Sequence, residues 1–306
     1  MTVRDPSGLR AGVASGLVAY VLWGLFPLYW GFLAPASPYE VLAARMVFAL
    51  ASLAVLVTVV GQWPVVASVL RDRRSRTILF GAAIVVSLNW GVFIWAVANE
   101  LVVDASLGYF INPLVSIALG VLVLRERLRP LQWLAVGIAG IAVLYATFSL
   151  GRLPWVALVL AFSFGLYGLA KKLAGVDAIP SLTVETLYMT PLALGYLAWL
   201  WSQGLLAFGS NGVGHALLMV GAGPVTALPL LFFGFAAHRV PLSVLGPLQY
   251  VAPSLQLAIG VWWLHEPMTP ERWLGFVGVW IALVVFTVDA VRNSRATGRA
   301  VPVEDL

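Results

Sequence analysis

The stretch PLVSIALGVLVLRERLRPLQWL at residues 113–134 is followed 140 residues later by PSLQLAIGVWWLHEPMTPERWL at residues 253–274. Each copy has the pattern of an apolar helix, a short polar turn that holds a Glu and a Pro, and a second apolar helix. This repetition predicts a chain built from two related halves. Nine positions carry the same residue in both copies, and in the first copy they are Pro113, Ala118, Gly120, Val121, Leu124, Glu126, Pro130, Trp133 and Leu134.

The composition is that of a membrane protein. The 306 residues are 61% hydrophobic and only 10% charged, whereas soluble domains carry about 25% charged residues. No polar stretch is long enough to fold as a soluble domain beside the apolar segments. The absence of Cys excludes disulfides, thiolate metal sites and cysteine nucleophiles.

A helix needs roughly 20 apolar residues to cross a bilayer. Ten segments of the chain approach that length, so the sequence predicts an all-α polytopic protein with ten transmembrane helices. Their expected positions, with ends uncertain by a few residues, are 11–33, 38–60, 77–98, 103–124, 131–149, 154–171, 181–201, 214–236, 241–264 and 273–289.

The basic residues predict how these helices are oriented. With a cytoplasmic N-terminus, 15 of the 18 Lys and Arg residues lie in cytoplasmic segments. Two, Arg152 and Arg272, lie on the opposite side, and Arg45 lies within a helix. This distribution follows the positive-inside rule. Both termini are therefore predicted to be cytoplasmic, which requires an even number of crossings.

Division of the ten helices at the loop that contains Arg152 leaves five on each side. The first five begin on the cytoplasmic side and the second five on the opposite side, so the second repeat is inverted. The predicted units are a first five-helix repeat at 1–150, an inverted repeat at 151–290 and a cytoplasmic tail at 291–306. Inverted repeats are typical of alternating-access transporters.

Four stretches carry a family resemblance: YVLWGLFPLYW at 20–30, NWGVFIWAV at 89–97, ASLGYFINPL at 105–114 and LRERLRPLQWL at 124–134. They resemble the RarD subfamily of the EamA-type permeases, which belong to the drug/metabolite transporter superfamily. The likeness covers essentially the whole chain. It implies a ten-helix bundle with two inverted halves around a central cavity, in the bacterial plasma membrane, but it implies no particular ligand.

The repeat and the resemblance predict a permease that moves small metabolites or amphipathic compounds by alternating access, as an exporter by analogy. Uptake of an amino-acid-like solute is the alternative within transport. An intramembrane enzyme would need converging Asp/Asp, Ser/His or His-x-x-x-His groups, and a scaffold would need a substantial extramembrane domain. Because the sequence has neither, we expect no enzymatic activity and no catalytic residues.

The expected partners are a small-molecule substrate and the lipid bilayer. No G-x-x-x-x-G-K-[ST] loop is present, so ATP is not used by that route, and the energy source stays open. The three His residues are scattered, so we expect neither a metal site nor a cofactor. The orientation signals account for the net charge of +5, which leaves no reason to expect nucleic acid. Gly12 and Gly16 form a GxxxG motif, which leaves a homodimer open.

Arg45 is the first candidate for the transport pathway, because charged groups within a membrane are expensive. It lies roughly 10 Å from the outer end of the second predicted helix, at 1.5 Å per residue. Two interpretations stay open. Arg45 faces the cavity and attracts an anionic or carboxylate-bearing substrate, or it has a structural or gating role in which its side chain snorkels outward or forms an ion pair with Glu40.

Further pathway candidates are polar and aromatic residues in the helix centres. Pro113 and its counterpart Pro253 are expected to interrupt two helices at matching positions, which points to a binding site in inverted-repeat transporters. A packing kink is the alternative for both prolines. The other candidates are Asn89, Trp90, Tyr109, Asn112, Tyr167, Gln249, Tyr250 and Gln256.

Four acidic residues are structural or gating candidates. Glu40 and Glu185 lie near the starts of the second helix of each half. Glu126 and Glu266 lie at helix ends on opposite sides of the membrane, where each is expected to bind the N-terminal amides of the helix that follows. Tryptophans near segment ends, Trp30 among them, are expected to form interfacial belts.

Overall fold

The computed structural model describes residues 6–124, 129–149, 153–237 and 248–299. In these ranges all regular secondary structure is helical, which confirms the all-α prediction. The helices are α1 (Pro6–Gly24), α2 (Phe26–Gly31), α3 (Pro38–Val60), α4 (Trp63–Arg71), α5 (Arg73–Ala98), α6 (Val102–Leu124), α7 (Pro130–Ser149), α8 (Trp155–Ala174), α9 (Ala178–Ser202), α10 (Gly212–Ala237), α11 (Val251–Ala258, continued by a π-helical turn at Ile259–Trp263) and α12 (Pro270–Arg299).

Seven helices in the described part of the chain are long and apolar enough to cross a membrane. Two shorter apolar helices, Pro130–Tyr145 and Val251–Trp263, accompany them. The chain is therefore a multi-pass membrane protein. The seven candidate spans are Arg10–Gly31, Pro38–Val60, Arg73–Ala98, Val102–Val123, Trp155–Ala174, Gly212–Phe233 and Pro270–Asp289.

The first predicted segment, 11–33, contains two helices rather than one. α1 ends at Gly24 and α2 begins at Phe26, with Leu25 between them. Pro27 lies in the first turn of α2. Proline has no backbone N–H to donate, and its ring collides with the preceding turn of a helix, so it favours a new helix start at this position.

The short helix α4 was not among the predicted elements. It has nine residues, too few to cross a bilayer, and its proline, Pro64, lies in the first turn. Val66 and Val69 are buried, whereas Trp63 and Val65 on its other faces are exposed. The helix packs against α5 and α9. Its amphipathic pattern is typical of a helix that lies along the membrane surface.

The expected helix interruption is absent at Pro113, whereas a turn at 249–250 breaks the predicted helix just before Pro253. α6 continues through Pro113, and the neighbouring helices cover the buried proline. Pro253 lies in the first turn of α11, where its missing N–H would have had no partner. A second irregular stretch of backbone in this region is the π-helical turn at Ile259–Trp263.

The first half of the described chain, residues 6–149, packs closely against the second half, residues 153–299. α1 packs against α10 and α11, and α8 packs in the same way against α5 and α6. Three further pairs join a helix to its counterpart in the other half: α3 with α9, α6 with α11 and α7 with α12. Each of these helix pairs is thus matched by an equivalent pair, or by itself, when every helix is replaced by its counterpart in the other half.

Glycines permit two of the closest contacts between the halves. A Cβ atom at Gly223 in α10 would lie 2.2 Å from the carbonyl oxygen of Phe48 in α3. One at Gly108 in α6 would lie 2.6 Å from the carbonyl oxygen of Ala157 in α8. Because both obstacles are backbone atoms, no larger residue fits without separation of the helices.

Two apolar clusters mark opposite ends of the bundle. At the end where α3 begins, which we call the Glu40 end, Leu33 packs with Val102, Val156 and Met219. At the end where α8 finishes, which we call the Lys171 end, Val57 packs with residues of α4, α5 and α9. α3 runs from the first end to the second.

Candidate substrate pathway between the two halves

Arg45 lies in α3, about 10 Å along the helix axis from its start at Pro38. Only 3% of the residue is exposed. Its Nε donates a hydrogen bond to Thr226 Oγ1 in α10 at 3.0 Å. The hydroxyl of Thr226 in turn donates to the carbonyl oxygen of Ala222 at 2.8 Å. Arg45 therefore connects the first half to the second.

Three aromatic rings surround the guanidinium group. Its Cζ atom lies 4.0 Å from the ring centroid of Trp90 in α5, 5.0 Å from that of Trp30 and 5.8 Å from that of Phe26, both in α2. Desolvated cation–π contacts contribute up to about 2 kcal/mol each, so the rings offset part of the cost of burying the charge. We call these three rings, with Arg45 and Thr226, the Arg45 box.

The ion pair expected between Arg45 and Glu40 is not formed. Glu40, 1% exposed, accepts hydrogen bonds from the backbone amides of Ala207 at 3.1 Å and Phe208 at 2.9 Å. These two residues belong to the segment between α9 and α10, so Glu40 too connects the halves. Across the described residues, no carboxylate lies within ion-pair distance of Arg45.

Asn89 forms the centre of a second polar contact between the halves. Its Nδ2 donates to the carbonyl oxygen of Leu160 at 3.0 Å and to Ser163 Oγ at 2.9 Å, both in α8. Its Oδ1 accepts a hydrogen bond from the hydroxyl of Tyr109 at 3.2 Å. Asn89 is buried, so these bonds satisfy the amide that the sequence places within the membrane. In α6, Asn112 Nδ2 donates to the carbonyl oxygen of Ala161 at 3.2 Å.

The candidates of the second half do not join these contacts. Gln256 donates from Nε2 to the carbonyl oxygen of Trp23 at 3.3 Å. Tyr250 stacks on Phe110 with a centroid separation of 6.3 Å, in the apolar cluster where α6, α7, α11 and α12 meet. Gln249 precedes it in the turn before α11. Of the pathway residues predicted from the sequence, only those of the first half therefore take part in the contacts around Arg45 and Asn89.

Glu185 pairs with Lys171 at the other end of the bundle. Their side chains approach to 2.9 Å between Oε1 and Nζ, and the Tyr167 hydroxyl donates to Glu185 Oε2 at 2.9 Å. Lys171 also donates to the hydroxyl of Ser181. Glu185 is 1% exposed. All four residues belong to the second half, so this cluster does not connect the halves, and Tyr167 lies within it rather than beside Arg45.

Glu266 binds the N-terminus of a helix, but not that of the helix that follows it. Its Oε1 and Oε2 accept from the amides of Val102 at 2.6 Å and Val103 at 2.8 Å, at the start of α6 in the first half. Burial raises the pKa of the Glu266 carboxyl, and the two amide hydrogen bonds oppose that rise. From the sequence, Glu266 was expected to bind amides of the helix that follows it, whereas these amides belong to α6. Glu126 lies outside the described residues.

Two residues of these sites were missed by the sequence analysis. Trp30 was expected in an interfacial belt, but it is 4% exposed and forms a wall of the Arg45 box. Lys171 was expected only as an orientation signal, but it is the partner of Glu185. No local pattern distinguishes either residue, because both act through partners on other helices. Within the described ranges, no three His, Asp or Glu residues are grouped as a metal would require.

The model of the EamA-like transporter family matches the chain twice, at residues 10–148 and 153–288. The chain belongs to this family. A "Protein RarD" from Streptomyces exfoliatus is 53% identical over 94% of this chain and 91% of its own length. An "Uncharacterized transporter YojE" from Bacillus subtilis (strain 168) is 42% identical over 94% of this chain and 97% of its own length. The RarD-type resemblance is thus confirmed, and the protein is a membrane permease of this family.

A chain of known crystal structure has a similar fold. It covers 92% of this EamA-family chain and 98% of its own length with a TM-score of 0.57, at 19% sequence identity. At that identity the likeness concerns the fold alone.

Proposed function

We propose that this permease is a ten-helix carrier of the bacterial inner membrane, with both termini in the cytoplasm, that exports small metabolites or amphipathic compounds by alternating access. Its two inverted halves move relative to one another about the contacts of Arg45 and Asn89. Three observations support this proposal. They are the two family matches, the helix pairing that survives exchange of the halves and the excess of basic residues in the expected cytoplasmic segments.

The pair of carboxylate contacts at the Glu40 end carries the proposal. Glu40 of the first half binds amides of the second half, and Glu266 of the second half binds amides of the first. In the proposed orientation, with both termini in the cytoplasm, this end faces the outside. The conformation is accordingly closed to the outside, with each half held by one carboxylate of the other.

Opening of this end requires that both contacts break together. A carboxylate and a backbone amide are each satisfied by water once they separate, so the contacts are reversible in a way that apolar packing is not. At the Lys171 end, the Lys171–Glu185 pair lies within one half, whereas the Arg129–Asp289 ion pair joins the two halves and must break when that end opens. Alternating access needs two states of similar free energy that the solute can shift.

The test is efflux from proteoliposomes loaded with an isotope-labelled bacterial metabolite extract, with external solutes identified by mass spectrometry. We expect at least one metabolite to leave faster than from protein-free liposomes loaded with the same extract. Asn112→Ala should lower that rate without loss of folded protein. If no metabolite leaves faster than from the protein-free liposomes, the transport proposal fails. The same extract added outside the liposomes distinguishes export from uptake of an amino-acid-like solute. Protease access from the outside shows which way the protein is inserted, so the direction of flux can be related to the orientation of the protein.

A further inference from the structure

The Arg45 box contains hydrogen-bond donors for which the described residues provide no acceptor. The described partner of the guanidinium group is Thr226, which accepts from Nε only. The indole Nε1 of Trp30, in the same box, is buried and has no hydrogen-bond partner in the described part of the chain. A buried donor without an acceptor costs about 1–3 kcal/mol. The box is thus rich in donors and lacks an acceptor for them.

The box also lacks a negative charge. Two acids of the same end, Glu40 and Glu266, are occupied by the backbone amides of Ala207, Phe208, Val102 and Val103. Burial of an unpaired ion costs several kcal/mol in a real protein. Three cation–π contacts of up to about 2 kcal/mol each reduce this cost but leave the N–H donors unsatisfied. A ligand that brings an acceptor with a negative charge would relieve both deficits.

We propose that the Arg45 box binds the carboxylate group of the transported solute. The Nη donors of Arg45 and the Nε1 donor of Trp30 bind the carboxylate, and Thr226 holds the guanidinium in place through Nε. A carboxylate is planar and carries a single negative charge, which suits the edge of one guanidinium. A phosphate dianion would call for a second cation, and the box has none among the described residues.

This inference rests on the proposed permease function and specifies its substrate class as small organic carboxylates. The position of the box suits that role. Arg45 in α3 and Trp90 in α5 belong to the first half, and Thr226 in α10 belongs to the second. A carboxylate bound there contacts elements that move relative to each other, so its binding favours one state over the other.

The first test measures binding, which requires no transport. Thermal unfolding of the detergent-purified protein is followed with three matched pairs of probes: benzoate and benzamide, lactate and lactamide, indole-3-acetate and indole-3-acetamide. We expect at least one carboxylate to raise the unfolding temperature at concentrations where its amide does not. Arg45→Gln should weaken the binding of that carboxylate by ~10–100-fold, the value of a hydrogen bond to a charged group. Chloride at equal ionic strength tests for a site that takes any anion.

Trp30→Phe provides a variant that keeps an aromatic ring at this position and removes the N–H donor together with the five-membered ring of the indole. We expect it to weaken carboxylate binding by ~3–10-fold, measured as the ligand-induced shift relative to the variant's own unfolding temperature without ligand. Arg129→Gln is the matched control, because it removes one positive charge far from the box, where Arg129 pairs with Asp289. It should leave the preference for carboxylates unaltered.

The outcomes separate this inference from the proposed function. If metabolites cross the membrane but no carboxylate binds better than its amide, or if Arg45→Gln and Trp30→Phe keep the preference, the carboxylate site is wrong and the permease stands. Equal stabilisation by chloride also overturns it. If no metabolite crosses the membrane, the transport proposal fails, whereas the binding measurements still decide whether the box holds a carboxylate.

Discussion

Glu40 and Glu185 lie near the start of the second helix of each half, and both are 1% exposed, yet their partners differ in kind. Glu40 accepts from two backbone amides of the other half. Glu185 is paired with Lys171 and Tyr167 of its own half. The comparison teaches that matched positions of a repeat need not have matched roles. One acid connects the halves, and the other is neutralised within its half.

The difference can be tested by cross-linking, because the chain has no native Cys. A short bifunctional thiosulfonate applied to Glu40→Cys/Ala207→Cys should join the halves and abolish efflux from proteoliposomes. The same reagent applied to Lys171→Cys/Glu185→Cys joins α8 to α9 within one half and should leave most of the flux. Cleavage of the linker by a reductant should restore flux in the first variant. Full flux with the Glu40–Ala207 link in place would contradict a gate at this end.

The second largest effect is expected at Glu185, on stability. Glu185→Gln leaves the half-buried Lys171 without its counter-charge, and loss of a hydrogen bond between charged groups costs about 1.5–3 kcal/mol. Thermal unfolding in detergent should show a lower midpoint. The added change Lys171→Met should recover most of it, since the uncompensated charge is then gone. An unchanged midpoint for Glu185→Gln would mean that water satisfies Lys171 and that the comparison with Glu40 is overdrawn.

The residues of this comparison also separate what the sequence predicts from what it does not. The apolar segments, the repeat at 113–134 and the burial of Asn89 follow from local composition, because a membrane helix needs an apolar run and a buried amide needs partners. The partner of Glu40 does not follow, because it belongs to a loop more than 160 residues away. Trp30 was misplaced for the same reason. A tryptophan near a segment end fits an interface equally well, and only the approach of α3 places Arg45 beside it.

Glu40→Gln should weaken the contacts between the halves at the Glu40 end and leave the contacts at the Lys171 end intact. A glutamine side chain has one acceptor oxygen, so one of the two amide hydrogen bonds is lost, at about 1.5–3 kcal/mol for a bond to a charged group. The ratio of molecules open at the Glu40 end to molecules closed there, in the proposed two-state mechanism, should therefore rise by ~10-fold or more. The measurement is the rate at which a membrane-impermeant thiol reagent modifies Met219→Cys, at a position that is 0% exposed at the Glu40 end. Glu185→Gln in the same background is the control, and an equal rise there would show that general loosening, not the gate, exposes residue 219.

The smallest effect is expected at Tyr109, which belongs to neither end. Tyr109→Phe removes one hydroxyl, whose bond to Asn89 Oδ1 is long at 3.2 Å. Asn89 keeps its bonds to Leu160 and Ser163, so the cost should be about 0.5–1.5 kcal/mol and flux should fall by less than ~10-fold.

Because Tyr109 does not take part in the carboxylate contacts at the Glu40 end, its effect on flux should add to that of Glu40→Gln. Flux and unfolding of the single and double variants decide this. Loss of all flux in Tyr109→Phe with an unaltered unfolding midpoint would contradict a merely supporting role, because a bond this weak explains such a loss only if the hydroxyl binds the solute itself. The centre of the bundle, rather than its Glu40 end, would then limit transport.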